Sequence, residues 1–112
     1  MLARSQKVSK QLFGEILKSG RNFHSPNLSL RLLQSFEGRK VSFVVAKKVA
    51  DSAVKRNLLK RRGYSIVRKL LPNLRENFSA VFFLKPGVGK LNFKGMKKEI
   101  EDILASAGLR VA

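Results

Sequence analysis

The chain has 112 residues, of which 24 are Lys or Arg and 7 are Asp or Glu, so its formal net charge is +17. That length suits one domain with one hydrophobic core, and the 44% content of hydrophobic residues excludes a disordered basic tail. The absence of cysteine excludes disulfides, thiolate metal sites and cysteine nucleophiles. No apolar run approaches the ~20 residues of a bilayer span. We therefore expect one cytoplasmic domain over residues 1–112 that binds a polyanion and has no membrane partner.

The hydrophobic pattern predicts six secondary-structure elements. They are a helix over residues 9–19, strands over 28–33 and 41–46, a helix over 52–71, a strand over 78–85 and a helix over 92–107. The helices have apolar residues spaced by three or four, and Ser9 and Asn92 are the predicted caps of the first and last. The short link between the first two strands favours an antiparallel pair. This order describes a two-layer α/β sandwich in a single domain.

The positive charge is concentrated in residues 39–69. This segment carries +10 of the total, from eleven Lys and Arg residues and a single acid, Asp51. A run of charged residues is most often only a solvated surface. Here too few carboxylates are present to neutralise the cations, so their mutual repulsion is relieved only when an anion binds. The imbalance therefore indicates a nucleic-acid-binding element.

The helix over 52–71 has a basic face beside its buried stripe. On a helical wheel, an arc of about 140° holds a set of mostly cationic and polar residues. These are Ala53, Arg56, Asn57, Lys60, Arg61, Tyr64 and Arg68. Lys47 and Lys48 before the helix, with Lys55 and Arg62 on its outer flank, extend the charge. Such a face suits successive phosphates, because base-specific readout needs more short polar side chains than one Asn.

Three residues of this helix allow two interpretations each. Asn57, near the helix start, is suited either to a local backbone hydrogen bond or to a ligand contact. Tyr64 is either half-buried or exposed as a stacking surface for a base or ribose. Gly63 destabilises a helix interior by ~1 kcal/mol relative to Ala. Either close packing against the sheet or a bend in the helix has to compensate for it.

Two adjacent segments of the chain carry a family signature. Val45-Ala46-Lys47-Lys48-Val49 and Ser52-Ala53-Val54-Lys55-Arg56-Asn57-Leu58-Leu59-Lys60-Arg61 resemble the protein subunit of bacterial ribonuclease P. In that family, a strand ending in Ser/Ala-Lys-Lys precedes a helix with Ala-Val-x-Arg-Asn-x-x-Lys-Arg. Phe13-x-x-Ile16-Leu17-x-x-Gly20 and Lys85-Pro86-Gly87 extend the similarity over roughly residues 7–106. The family usually has Arg at the positions of Leu58 and Tyr64, and Arg62 and Arg68 are the candidate replacements.

The resemblance implies an α+β fold of order αβββαβα, with a further short strand at residues 21–24. It also implies a left-handed βαβ crossover through the basic helix, an exception to the usual handedness, as in ribosomal protein S5 domain 2-like folds. The implied function is that of the accessory subunit of an endoribonuclease, a hydrolase that removes the 5′ leader of precursor tRNA. The resemblance also implies that the catalytic centre lies on the RNA subunit of that enzyme.

The resemblance also assigns site residues. It implies contacts with the RNA subunit at Lys47, Lys48, Lys55, Arg56, Asn57, Lys60, Arg61, Tyr64 and Arg68. It implies a cleft for the leader of precursor tRNA at Phe13, Leu17 and Arg31. Without the resemblance, core packing is the preferred interpretation of Phe13 and Leu17. No obligate protein partner is implied.

No catalytic residue is predicted in this chain. His24 is the only histidine, and three of the seven acids, Glu99, Glu101 and Asp102, share a helix with lysines, so ion pairing is their expected role. A two-metal nuclease needs several converging acids. We therefore expect no metal site and no cofactor bound by the chain alone, with the Mg²⁺ of the holoenzyme held mainly by RNA.

Two other classes of protein would also account for the high net positive charge. The main alternative is a small ribosomal or general RNA-binding protein without a role in cleavage. Such a protein more often carries an extended basic tail, whereas residues 92–112 carry only +1. The second is a DNA-compacting protein, for which a groove-entering β-arm or an intercalating wedge is expected.

Overall fold

The computed structural model describes residues 7–35 and 38–110. Within them lie three helices, α1 (Lys10–Ser19), α2 (Ala53–Leu70) and α3 (Phe93–Ser106). Four strands accompany the helices: β1 (Arg21–His24), β2 (Leu28–Gln34), β3 (Arg39–Val44) and β4 (Phe78–Leu84). Short 3₁₀ helices at Leu71–Asn73 and Pro86–Lys90 follow α2 and β4. The expected order αβββαβα is confirmed, including the short strand β1.

The four strands form one sheet in the order β1-β2-β4-β3. β1 pairs antiparallel with β2, β2 pairs antiparallel with β4, and β3 pairs parallel with β4. The predicted antiparallel pairing of the strands now numbered β2 and β3 is wrong, because β4 lies between them. β4 is apolar on both faces and buried at six of its seven positions. Only the middle of the sheet, with helices on both sides, gives such a strand enough cover.

The end of β2 and the start of β3 lie on opposite sides of the start of β4. Ser35 N donates to Asn77 O at 3.0 Å, and Phe78 N donates to Gly38 O at 3.1 Å. Four residues span at most about 13 Å, which exceeds the two strand spacings of about 4.8 Å that they bridge. The four residues between β2 and β3 are therefore few enough for a hairpin between adjacent strands, and they are also enough to reach the strand beyond the adjacent one.

Polar side chains cap all three helices at their N-termini. Ser9 accepts from Leu12 N at 3.2 Å, Ser52 from Lys55 N at 3.0 Å, and Asn92 from Gly95 N at 2.7 Å. Each cap satisfies a backbone N–H that the first helical turn leaves unpaired. The predicted caps Ser9 and Asn92 are confirmed.

The helices lie on opposite faces of the sheet. α2 and α3 cover one face, and together with it they form the larger core, which includes Leu30, Phe43 and Phe82. α1 packs on the other face, where Leu12 and Ile16 bury Val81. Because α1 is a short helix, apolar side chains around this second core stay half-buried. An open cleft therefore runs beside α1.

Gly63 allows α2 to approach the sheet closely. A Cβ on Gly63 would lie 2.5 Å from Cε1 of Phe43. That ring stacks on Phe82, with centroids 4.8 Å apart and planes at 9°. Of the two interpretations open at sequence level, the structure therefore shows close packing against the sheet.

Candidate nucleic-acid interface

The first candidate surface is the basic face of α2 together with the loop before it. The buried stripe of α2 includes Leu59, Ile66 and Leu70, which pack against the sheet. The opposite side carries the charge. Lys47, Lys48, Lys55, Asn57, Arg61 and Arg68 are exposed, and Arg56 and Lys60 are half-buried. The fold thus presents eight of the nine residues predicted to contact the RNA subunit on or beside one face.

These cations lack acidic partners within the described part of the chain. The ion pairs found there join Arg39 to Glu76 at 3.7 Å and Arg110 to Glu101 at 3.3 Å, both away from the basic face. The Lys and Arg side chains of α2 contact no carboxylate in residues 7–35 and 38–110. Their charge is therefore available to an external anion.

Two arginines of α2 hold its surroundings in place. Arg56 Nη1 donates to Ala50 O and Asp51 O, both at 2.9 Å, and so fixes the loop before the helix. Arg62 Nη1 donates to Leu91 O at 3.3 Å on the opposite flank. Arg56, predicted only as an RNA contact, therefore also has a structural role.

Tyr64 does not offer the exposed stacking surface considered at sequence level. Its side chain is 7% exposed, and its Oη accepts a hydrogen bond from Phe43 N at 3.2 Å. The ring lies edge-on to Phe43, with centroids 5.0 Å apart, and Lys7 Nζ lies 5.1 Å from its centre. β3 is an edge strand, so its outward N–H needs a partner. Tyr64 turns inward to supply it, and the interpretation as a stacking residue is wrong.

The second candidate surface is the cleft between α1 and the sheet. Phe13 is half-buried, with its ring 6.4 Å from that of Phe83, and Leu17 is 44% exposed. Val44 lies on the same sheet face as Phe83, with which it is paired in register. Aromatic and aliphatic side chains thus meet at a partly solvated surface, which is what unpaired bases need for stacking.

Arg31 joins the cleft to the end of α1. Its Nε donates to Ile16 O at 3.2 Å, and its Nη2 donates to Leu17 O at 2.8 Å and to Gly20 O at 3.3 Å. A guanidinium at a helix C-terminus satisfies carbonyls that the helix leaves unpaired, and it complements the helix dipole. Arg31 therefore fixes the end of α1 on the sheet.

Sequence reasoning missed part of the cleft floor. Val44 and Phe83 belong to it, and a cavity of about 360 Å³ continues from them to Lys85 and Pro86. The alternation along β4 places Phe83 on the face opposite the larger core. That signal, combined with the shortness of the first helix, was enough to predict a half-covered aromatic side chain there.

The loop at the end of the cleft is anchored by Glu99 of α3. Ser25 Oγ and Asn27 N donate to Glu99 Oε2 at 2.6 and 2.8 Å, and Asn27 Nδ2 donates to Oε1 at 3.0 Å. Lys85 Nζ donates to Ser25 O at 2.8 Å. Burial alone would raise the pKa of Glu99, but the hydrogen bonds and the charge of Lys85 hold that pKa below its ordinary value. The carboxylate thus connects α3, the β1–β2 turn and Lys85.

Acidic and histidine side chains do not converge elsewhere in the described residues. No group of three or more His, Asp or Glu side chains there could hold a metal ion. His24 is exposed at the end of β1. In the same residues, no helix is both long and apolar enough to cross a bilayer.

Comparison with known proteins identifies relatives over most of the chain. Residues 2–108 match the family model described as Ribonuclease P. The ribonuclease P protein component of Microcystis aeruginosa is 26% identical over 105 residues, which cover 89% of this chain and 88% of that protein. That of Synechococcus elongatus is 31% identical over 101 residues, covering 85% of this chain and 83% of the relative.

Solved structures share the fold. A mutant of the Staphylococcus aureus RNase P protein aligns with a TM-score of 0.85 at 16% identity, over 95% of this chain and 91% of the other. The RNase P protein of Thermotoga maritima aligns with a TM-score of 0.76 at 19% identity, over 84% and 89% of the two chains. The family match and the relatives lead to one conclusion: this chain belongs to the ribonuclease P protein family and is the protein component of an endoribonuclease that acts in tRNA 5′ processing.

Proposed function

We propose that the chain binds ribonuclease P RNA through the basic face of α2 and the loop before it. The observation that carries this proposal is the set of cations without carboxylate partners. RNA phosphates neutralise these cations, and counterion release supplies much of the affinity. The proposed contacts are Lys47, Lys48, Lys55, Asn57, Lys60, Arg61 and Arg68. Arg56 contributes by holding the loop as well as by its charge, and Tyr64 contributes by packing against β3.

The cleft beside α1 binds the single-stranded 5′ leader of precursor tRNA in this proposal. Phe13, Leu17 and Phe83 present apolar surface against which unpaired bases stack. Arg31 keeps α1 at the distance from the sheet that leaves the cleft open. The protein thereby gives the holoenzyme a contact that mature tRNA, which lacks a leader, does not make.

The chemistry belongs to the RNA subunit in this proposal. The acids of the described residues do not form a ligand set for Mg²⁺, and Glu76, Glu99 and Glu101 already bind basic or polar groups of the chain. Mg²⁺ in the holoenzyme is held mainly by RNA. The protein lowers the repulsion between the two RNA molecules and positions the leader.

Reconstitution tests the function directly. The chain is mixed with bacterial ribonuclease P RNA and precursor tRNA at low Mg²⁺, and cleavage at the mature 5′ end is followed. We expect the chain to increase cleavage over the RNA alone. No increase would reject the proposed role and favour the alternative of a general RNA-binding protein.

A double variant tests the basic face. Lys60→Ala with Arg61→Ala removes two phosphate contacts and leaves the loop held by Arg56. Each contact contributes about 0.9 to the slope of log affinity against log salt on duplex RNA, taking the duplex DNA value as a guide, so the slope falls by about 1.8. The control, Lys94→Ala with Lys97→Ala, removes the same charge from exposed positions of α3. Equal slopes in the two double variants would refute the assignment.

Phe13→Ala tests the leader cleft. We expect it to reduce the preference of the holoenzyme for precursor over mature tRNA, because only the precursor has unpaired bases to stack there. The preference is measured as the ratio of the two dissociation constants. Equal weakening for both substrates would show that the variant damages packing around α1 instead.

A further inference from the structure

A second cavity lies on the outer flank of α2, away from the leader cleft. It has a volume of about 570 Å³ and lies between the loop before α2, the helix itself and the 3₁₀ helix after β4. Its lining includes Lys47, Lys48 and Lys55 as charged groups, and Val49 and Leu58 as apolar groups. The size lies within the range of about 300–1,000 Å³ that is usual for small-ligand sites.

The walls of this cavity are fixed by hydrogen bonds within the protein. Arg56 holds the loop through Ala50 O and Asp51 O, both at 2.9 Å. Arg62, itself part of the lining, donates to Leu91 O and so connects α2 to the chain that follows the 3₁₀ helix. A cavity braced on both sides loses little freedom when a ligand enters.

The apolar lining of the cavity is divided between side chains that pack on the larger core, such as Val49, and the exposed side chain of Leu58. Leu58 is 51% exposed, although it lies one position before Leu59, which is buried in the core. Basic residues surround Leu58, so a purely apolar partner would have to bury their charges at high cost. An occupant that combines an apolar face with negative charge satisfies both features.

We propose that this cavity takes one unpaired nucleotide of the ribonuclease P RNA, with its base against Leu58 and its phosphates on the lysine rim. The proposal rests on the proposed function and adds to it a contact with a base. Lys47, Lys48, Lys55 and Arg62 outnumber the single acid in the lining, Asp51, so the charge is complementary to phosphate. A base has flat apolar faces, and covering one of them with the exposed Leu58 side chain removes apolar surface of both from water.

Two RNA probes with the same number of phosphates test the base contact. One is a five-residue RNA with a single adenine among abasic riboses, and the other has five abasic riboses. The full chain is titrated with each while the methyl NMR signals of Val49, in the cavity, and Val44, in the leader cleft, are followed. We expect the adenine to shift the Val49 signals and to bind there about fivefold more tightly than the abasic probe. Equal binding of both probes at Val49, or an adenine effect at Val44 alone, would overturn the proposal.

Leu58→Ala is the decisive variant, and Val54→Ala is its control. Val54 lies one helical turn earlier, is 78% exposed and does not line the cavity. We expect Leu58→Ala to remove the preference for the adenine probe. It should also weaken binding to ribonuclease P RNA about fivefold without changing the salt slope, because no phosphate contact is lost. Val54→Ala should change neither quantity.

The two proposals fail in different ways. If Leu58→Ala binds the ribonuclease P RNA as tightly as the unchanged chain, the base contact is refuted while RNA binding stands. If the unchanged chain does not stimulate cleavage by the RNA, the proposed function is refuted whatever the probes show.

Discussion

Gly63→Ala tests how closely α2 packs on the sheet. The added Cβ would lie 2.5, 2.7 and 2.8 Å from three atoms of the Phe43 ring, whereas ordinary contacts begin at 3.4 Å. Helix and ring must therefore separate by roughly 0.9 Å. The ring cannot turn aside easily, because Phe82 stacks on it and Tyr64 packs against it edge-on.

The change in the free energy of unfolding that Gly63→Ala causes follows from two opposing effects. Over-packing of a core costs about 1–3 kcal/mol, and a ring held by two neighbours places this site in the upper part of that range. In the opposite direction, replacing Gly by Ala inside a helix raises the free energy of unfolding by about 1 kcal/mol, because Ala has the higher helix propensity. We therefore expect Gly63→Ala to lower the free energy of unfolding by about 1–2 kcal/mol.

Urea denaturation measures this change against a matched control. Gly14 is also inside a helix, α1, but a Cβ there meets nothing within 4 Å. Gly14→Ala should therefore stabilise the protein by up to about 1 kcal/mol, the opposite sign. If Gly63→Ala raised the urea midpoint as Gly14→Ala does, the close packing of α2 on Phe43 would be refuted.

Two further predictions concern hydrogen bonds made by side chains within the fold. Glu99 has a lowered pKa in the fold, so its contribution to stability is present above the ordinary pKa of 4.5 and is lost as the pH falls from there through the lower folded value. Glu99→Gln should therefore flatten the loss of stability below pH 4.5 in urea titrations at several pH values, and an unchanged acid dependence would contradict the network. Tyr64→Phe removes the acceptor for Phe43 N and should cost about 1 kcal/mol in the same assay. Its affinity for ribonuclease P RNA should not change, whereas a marked loss would restore Tyr64 as an RNA contact.

Local patterns were sufficient for the three helices, for three of the four strands and for most of the basic face, whereas the short strand β1 was expected only from the family resemblance. The spacing of apolar residues located all three helices, and Ser9 and Asn92 marked two helix starts that the structure confirms. A helical wheel is enough to separate Arg61 and Arg68 from the buried stripe, because both lie on one rigid helix. Counting the charged residues of segment 39–69 showed in addition that its basic residues have only one acid, Asp51, close to them in sequence.

Three features were not accessible in this way, because each depends on a contact between distant segments. The position of β4 in the sheet requires knowledge of which strands pair, and a link of four residues fits either arrangement. Tyr64 turns inward because the edge of β3 offers it a donor. Arg56 binds carbonyls of the preceding loop, a use that a surface charge on a wheel does not reveal.

The net charge of +17 and the pattern of the basic helix, both read from the sequence alone, predicted that the chain binds a polyanion, and the signature around Arg56 and Asn57 indicated which family it belongs to. These properties depend on residues that are close in sequence, so periodicity and composition are enough to reveal them. Tertiary structure alone decided the shape of the cleft beside α1 and of the cavity beside Leu58. Each is a space between elements far apart in the chain, and the volume left open depends on how short α1 is and on how two arginines hold the surrounding segments.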